Sequence, residues 1–291
     1  GEPVRFIIGM FILKHTYALS DEQVWDRWVE SPYFQYFTGE EFFQHELPHE
    51  RSGMSHWRNR IGDTLDVLLQ ESLRIAHDTG ALKKSDLARV TVDTTVQPKN
   101  ITFPTDAKLL LVAIQQLGKL AKEYDVPLRQ SYARVAKRAA IKVGRYAHAK
   151  QFKRMNREIK FLRTRLGRVT RDIRRKTMGD EALAAAFAVP LIKASQIRGQ
   201  KQRQRGWKLY SWHAPETECI AKGKAHKPYE FGVKVSLTTT NKRAKGGQFI
   251  LHAKALPGNP YDGHTLAEVL AETQALTGRE IERVYVDKGY I

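Results

Sequence analysis

The chain has 291 residues, with 49 Lys and Arg against 31 Asp and Glu and a formal charge of +18. Its single cysteine, Cys219, excludes a disulfide framework and points to a reducing, cytoplasmic setting. No apolar run reaches the roughly 18 residues of a membrane span, and the short Phe6–Leu13 patch lacks signal-peptide flanks, so no membrane partner is expected. The excess charge is local. Residues 129–176 hold 18 Lys and Arg against 2 Asp and Glu, whereas residues 1–85 hold 9 against 13. A net +16 on one segment favours an element that tracks a polyanion over a generally basic protein.

Residues 4–80 read as helical. Ser20 with Gln23 makes a capping-box pattern opening a helix at Asp21–Val29, and Ser31-Pro32 ends it. Tyr33, Phe34, Tyr36 and Phe37 follow as an aromatic cluster. A second helix is expected after Ser55, running through Trp57, Ile61, Leu65, Leu68 and Leu69 as one apolar stripe. Residues 88–97 alternate as a strand, with Val90, Val92, Thr94 and Val96 on one face and Thr91, Asp93 and Thr95 on the other. An aspartate in the middle of so strong a β run needs a reason.

A helical pattern returns over residues 105–123 and is followed by a long basic helical region. There Phe152, Met155, Ile159, Leu162, Leu166, Val169 and Ile173 recur in steps of three and four, a seam for a helical hairpin whose other positions are mostly Arg and Lys. A further helix covers about 181–197. From residue 207 the period is that of strands, at Cys219–Ala221, Glu230–Thr240 and Gln248–Leu256, with Asn241–Gly247 as a turn. A helix over Gly263–Leu276, ended by Gly278, leads to a short strand Arg283–Val286 that delivers Asp287. The expected fold is α+β: an N-terminal helical bundle over residues 1–86, then a mixed-sheet domain over 87–291 carrying a basic helical insertion at about 105–200.

Asp93 and Asp287, each at a strand and separated by helices and further strands, suit a two-metal phosphoryl-transfer site. Hard Mg²⁺ prefers carboxylate oxygens, and paired ions activate the attacking oxygen while stabilising the leaving one. Spacing alone leaves Asp287 open as a turn aspartate before Lys288-Gly289-Tyr290.

Five ordered segments go further. Val4–Phe43 with Leu19-Ser20-Asp21-Glu22-Gln23 and Ser31-Pro32-Tyr33-Phe34-Gln35-Tyr36-Phe37 is similar to the N-terminal domain of insertion-sequence transposases of the IS-five type. Val92-Asp93-Thr94-Thr95-Val96-Gln97 resembles their first catalytic strand. Gly223–Gly232, Gly258–Leu266 and Val286-Asp287-Lys288-Gly289-Tyr290 resemble further motifs of the same family, in the expected order. The resemblance implies a DDE transposase with an RNase H-like core, cutting DNA at element ends and joining the freed 3′-hydroxyl to target DNA with Mg²⁺ or Mn²⁺. It places the first two acids on Asp93 and Asp287. It also implies bacterial, nucleoid-associated duplex DNA as partner and a homodimer holding two ends. The family's third acid, a glutamate on a helix, falls beyond Ile291. The catalytic domain is therefore expected to be C-terminally incomplete here, and the 291-residue chain impaired in catalysis.

Expected DNA contacts are Arg154, Arg157, Arg163, Arg168 and Arg171 of the basic helices, Lys224, His226 and Lys227 of the Gly-Lys-Ala-His-Lys turn, and Lys288. Asp262 and His264 most simply cap the helix they precede. Trp207 and Trp212 read as packing aromatics. A zinc role for His213, Cys219 and His226 is disfavoured by ligand count and spacing. Two rivals remain: a non-catalytic DNA-binding module derived from a transposase, and a basic coiled-coil protein that binds RNA.

Overall fold

A computed structural model describes residues 3–62, 65–202, 204, 206–224, 227–242 and 247–290. They form a mixed helix-and-sheet protein that divides into two compact units, residues 1–82 and 83–291.

The first unit contains α1 (Val4–Thr16), α2 (Asp21–Glu30), α3 (Pro32–Thr38), α4 (Gly53–Ile61) and α5 (Leu65–Asp78). α2 begins where the capping box predicts. The Gln23 N–H donates to Ser20 Oγ at 3.1 Å, and the Ser20 N–H donates to Gln23 Oε1 at 2.9 Å. Pro32 stops α2 and opens α3, because a proline at the first helical position has no N–H to leave unsatisfied. The four residues of the aromatic cluster divide between core and surface. Phe34 is buried, but Tyr33, Tyr36 and Phe37 are exposed. The core also holds Phe6, Met10, Trp25, Trp28, Met54 and Trp57, with Phe6 set edge-on against Trp28 (centroids 5.6 Å apart) and Trp57 (5.8 Å). Two of the indole N–H groups are satisfied within the unit, Trp28 by Thr38 Oγ1 at 2.8 Å and Trp25 by the Arg51 carbonyl at 3.1 Å. The single long helix expected after Ser55 is two helices. Gly62 sits at φ +42° and ends α4, so Trp57 and Leu68 do not share one stripe.

The second unit is built on a five-stranded sheet: β1 (Arg89–Pro98), β2 (Glu218–Lys224), β3 (Lys227–Thr240), β4 (Ile250–Leu256) and β5 (Arg283–Tyr285). Long β3 lies at its centre. One edge pairs antiparallel with β1 along Pro98–Gly232 to Val90–Thr240, and the other is shared by β2 and β4. Only glycine fits at Gly232, where a Cβ would strike the carbonyl of Gln97. α10 (Asp262–Thr277) carries the chain from β4 back to β5, which pairs parallel with β1 on its free edge. α10 packs on the face holding Val90, Val92, Thr238 and Thr240, with Thr273 Oγ1 3.2 Å from Thr238 Oγ1. Gly278, at φ +62°, ends α10 as expected.

Between β1 and β2 the chain makes four helices: α6 (Asp106–Glu123), α7 (Ala133–His148), α8 (Phe152–Thr177) and α9 (Glu181–Gly199). α6 and α9 are capped by Thr105 and Asp180. The hairpin expected from the heptad seam is present as α7 and α8, but the seam faces more than one partner. Leu162, Leu166, Val169 and Ile173 are fully buried in a core with Leu110, Ile114 and Leu117 of α6 and Phe187, Ala194 and Ile197 of α9. Towards its start the seam leaves that core, and Phe152 is exposed. Among the described residues, no helix is long and apolar enough to cross a membrane.

Candidate active site and basic surface

Strand alternation explains where Asp93 points. Val90, Val92 and Val96 are buried on one face of β1, so Asp93, with Thr91, emerges on the opposite, open face. There it is exposed, with Oδ1 accepting the Thr94 N–H at 2.8 Å. Asp287 arrives from the neighbouring strand. The parallel pairing Arg89–Arg283, Val90–Val284, Thr91–Tyr285 ends two residues before each aspartate. Continued by those two residues, the same register sets Asp93 level with Asp287. Asp287 too is exposed, and its Oδ1 accepts the Gly289 N–H at 2.8 Å. Each carboxylate is thus steadied by a local backbone bond through one oxygen.

Tyr290, in the 3-10 turn Lys288–Tyr290 that follows, registers both charges. Burial, then the carboxylates of Asp262, Asp93 and Asp287, push its phenol up to about 12, while the Ser236 hydroxyl beside it acts the other way. Gly263 at the start of α10 lets this turn close in, since a Cβ there would fall 2.6 Å from the Tyr290 carbonyl oxygen. Asp262 does not cap α10. The N-cap is Tyr261, and the Asp262 carboxylate pairs with Lys234 Nζ at 2.5 Å. Lys234 also donates to the Pro260 carbonyl at 2.8 Å, tying β3 to the start of α10 beside a cleft of about 470 Å³ along Thr94–Val96. Lys234, Ser236 and Tyr290 were not singled out from sequence. The one available signal was a lysine at a core-facing position of β3, two residues after Gly232.

Among the described residues, no three His, Cys, Asp or Glu side chains gather as a metal-binding group. Asp93 and Asp287 supply two carboxylates of the oxygen chemistry that Mg²⁺ or Mn²⁺ takes. A divalent ion held by one or two carboxylates completes its shell with water and substrate phosphate. The pair fits that partial role.

The predicted phosphate contacts divide. Arg154 and Arg157 are exposed on α8, Arg154 with its guanidinium 6.0 Å from the Tyr146 ring. Arg163 is turned inward, 2.8 Å from the Gln200 carbonyl and 3.4 Å from Asp106, where it joins α8 to the end of α9 and the start of α6. Arg168 and Arg171 line a pocket with Arg129, Tyr132, Asp172 and Arg175. Lys288 is exposed beside Asp287. His226 and the side chains of Lys224 and Lys227 lie outside the described residues. Trp207 is exposed, whereas Trp212 packs against the helical core with Lys193 Nζ 6.0 Å from its ring.

Residues 2–60 match the model of a transposase domain, DUF772. A Rhizobium meliloti protein described as an uncharacterized protein ORF8 in the nfe locus is 54% identical over 149 residues, 51% of this chain and 72% of the relative. The chain belongs to that protein's family. With the N-terminal match, the family is transposase-related. No solved structure matches the chain.

Proposed function

We propose that this protein is a DNA transposase of the DDE type, with Asp93 and Asp287 as ligands of catalytic Mg²⁺ or Mn²⁺ and duplex DNA as its substrate. The observation that carries this reading is the parallel pairing of β1 with β5, which ends two residues before Asp93 on one side and two residues before Asp287 on the other. Asp93 is fixed within a strand, which holds a ligand more precisely than a loop does, and Asp287 follows directly on another. The order of elements supports it as well. β1, β3 and β4 run antiparallel, α10 returns the chain and β5 pairs parallel with β1, an order shared with an RNase H-like core into which α6–α9 and β2 would be inserted after β1.

When bound, the metal would activate the attacking oxygen and neutralise charge on the phosphate being cut. The chain's own residues do the positioning. The Thr94 and Gly289 N–H groups orient one oxygen of each aspartate, and the Lys234–Asp262 pair holds the β4–α10 connection beside β1. The basic helices supply phosphate contacts, and two copies hold two element ends.

Metal-dependent footprinting tests the reading on the chain itself. Fe²⁺ with ascorbate cuts a polypeptide next to a Mg²⁺ site. Cuts are expected near residues 93 and 287, suppressed by excess Mg²⁺ and lost in Asp93→Asn. In the protein that also carries the third acid, Asp93→Asn or Asp287→Asn should abolish Mg²⁺-dependent strand cleavage while changing duplex affinity less than about threefold. Cleavage that survives Asp93→Asn would remove that residue from the site.

A further inference from the structure

The pocket on the helical insertion carries an inference that rests on the reading of this chain as a DNA-binding protein and makes it specific. Arg168, Arg171 and Arg175 stand at i, i+3 and i+7 on α8 and so share one face. The loop before α7 brings Arg129 and Tyr132 against them, enclosing about 290 Å³. What holds that loop is Asp172. It is buried, with Oδ2 accepting the Arg129 backbone N–H at 2.8 Å and Lys176 Nζ at 3.4 Å, while Oδ1 faces Arg175 at 3.4 Å. Lys176 also donates to the Pro127 carbonyl. Tyr132 caps α7 in the left-handed region at φ +58°, with the Arg165 guanidinium 5.4 Å from its ring and Arg168 Nη1 3.5 Å from its hydroxyl.

The charge balance is what points outward. Asp172 is the one carboxylate lining a pocket that four guanidinium groups also line, and its contacts go to Arg175, Lys176 and a backbone N–H. Among the described residues, no carboxylate pairs with Arg129, Arg168 or Arg171. A fifth guanidinium adds to the row. Arg198 of α9 lies across Gly167, where a Cβ would meet Arg198 Nε at 2.9 Å and Arg171 Nη1 at 3.4 Å. Convergent arginines without counter-charge repel one another unless an anion joins them. Their planar forks match a tetrahedral oxyanion through paired N–H bonds.

We propose that this pocket seats one backbone phosphate of duplex DNA, with Arg168 and Arg171 as its principal ligands and Arg129 and Arg175 as flanking ones. A polymer suits the place better than a free ion, because the basic face of α8 runs on to the exposed Arg157 and Arg154. Asp172 is a positioning residue that fixes the loop half of the pocket.

The test compares duplex binding by the wild-type chain, the double variant Arg168→Gln/Arg171→Gln, and a comparator with the same charge loss, Lys119→Gln/Lys122→Gln on α6. The pocket variant should lose about tenfold in affinity at low salt, and its log–log salt slope should fall by about 1, for the one phosphate contact removed. Dicarbonyl modification of the pocket arginines, read by peptide mass, should be blocked by duplex at concentrations where inorganic phosphate does not block it. If duplex binds but the pocket variant matches the comparator and protection is absent, the pocket proposal is overturned and the DNA reading stands. If the wild-type chain fails to bind duplex and inorganic phosphate protects the arginines, the DNA reading falls and duplex is rejected as the phosphate source. Matching melting curves for the three proteins exclude loss of fold as the cause.

Discussion

The N-terminal unit and the α6–α9 insertion are both helical, yet they are built for different neighbours. The first is closed by three tryptophans and a phenylalanine, with the indole N–H groups of Trp25 and Trp28 hydrogen-bonded, and its sequence carries a net negative charge. The second is closed mainly by Leu, Ile, Val and Ala around Phe187, and its charged positions over residues 129–176 are almost all Arg and Lys. Aromatic packing with satisfied indoles specifies one arrangement tightly. An aliphatic seam leaves every outward position of α8 free for charge. The family match falls on the first region and the electrostatic case for DNA on the second, so similarity and charge locate different parts of the protein's work.

The strongest way to break the comparison is to cut each core separately. Trp28→Ala removes a fully buried indole and the bond to Thr38, and should cost about 3–5 kcal/mol. Leu166→Ala in α8 should cost about 2–5 kcal/mol. Hydrogen exchange during denaturant titration locates each loss. Trp28→Ala should lower protection across residues 4–61 and leave 106–199 as before, and Leu166→Ala the reverse. Equal loss in both regions for either variant would show that the two do not unfold separately.

Legibility followed the same division. The ends of α2, β1 and α10 could be read because each has a local chemical cause: a capping box, strict alternation and a left-handed glycine. The break at Gly62 was missed because apolar spacing across residues 57–69 continues through it, and periodicity does not register one positive-φ residue. Which of Tyr33, Phe34, Tyr36 and Phe37 is buried could not be read, because apolar character says nothing about which face α3 buries. At the candidate site, Asp93 was conspicuous as an acid within a β run. Its alignment with Asp287 depends on strand pairing across almost 200 residues, which no local pattern encodes. Arg129 and Asp172 were invisible for the same reason, since a loop and a helix 43 positions apart meet only in the fold.

A smaller effect sharpens the comparison through pH. Burial by itself would raise the Asp172 carboxyl, but the Arg129 N–H, Lys176 and Arg175 outweigh it and hold the group below the usual carboxylate range. Asp21 in the first unit behaves alike, with Lys14 and Arg58 outweighing burial. A carboxyl whose pKa is lowered by folding stabilises the fold fully above its ordinary value near about 4, and that contribution disappears as pH falls through the lowered value. Asp172→Asn should therefore cost about 1.5–3 kcal/mol at pH 7. The gap from wild type should narrow below about pH 4, as measured by denaturant midpoints. A gap that stays constant down to about pH 2 would mean that Asp172 acts through shape and not charge.

The smallest expected effects are at the helix starts, where the two regions use different chemistry for one purpose. Ser20 is neutral and exchanges two hydrogen bonds with Gln23, whereas Asp180 is ionised, bonds only the Leu183 N–H at 2.9 Å and adds its charge to the N-terminal end of α9. Ser20→Ala and Asp180→Ala should each cost about 1 kcal/mol at low salt. They should then diverge as salt rises. The Ser20 cap is dipolar and local, so its cost should hold, while screening removes part of the contribution from the Asp180 charge. Parallel denaturant melts at low and at about 0.5 M salt, where the Debye length is shorter than the first helical turn, distinguish the two. Equal salt responses would mean that the Asp180 hydrogen bond alone sets its value, and that the basic surface around it contributes nothing to how α9 begins.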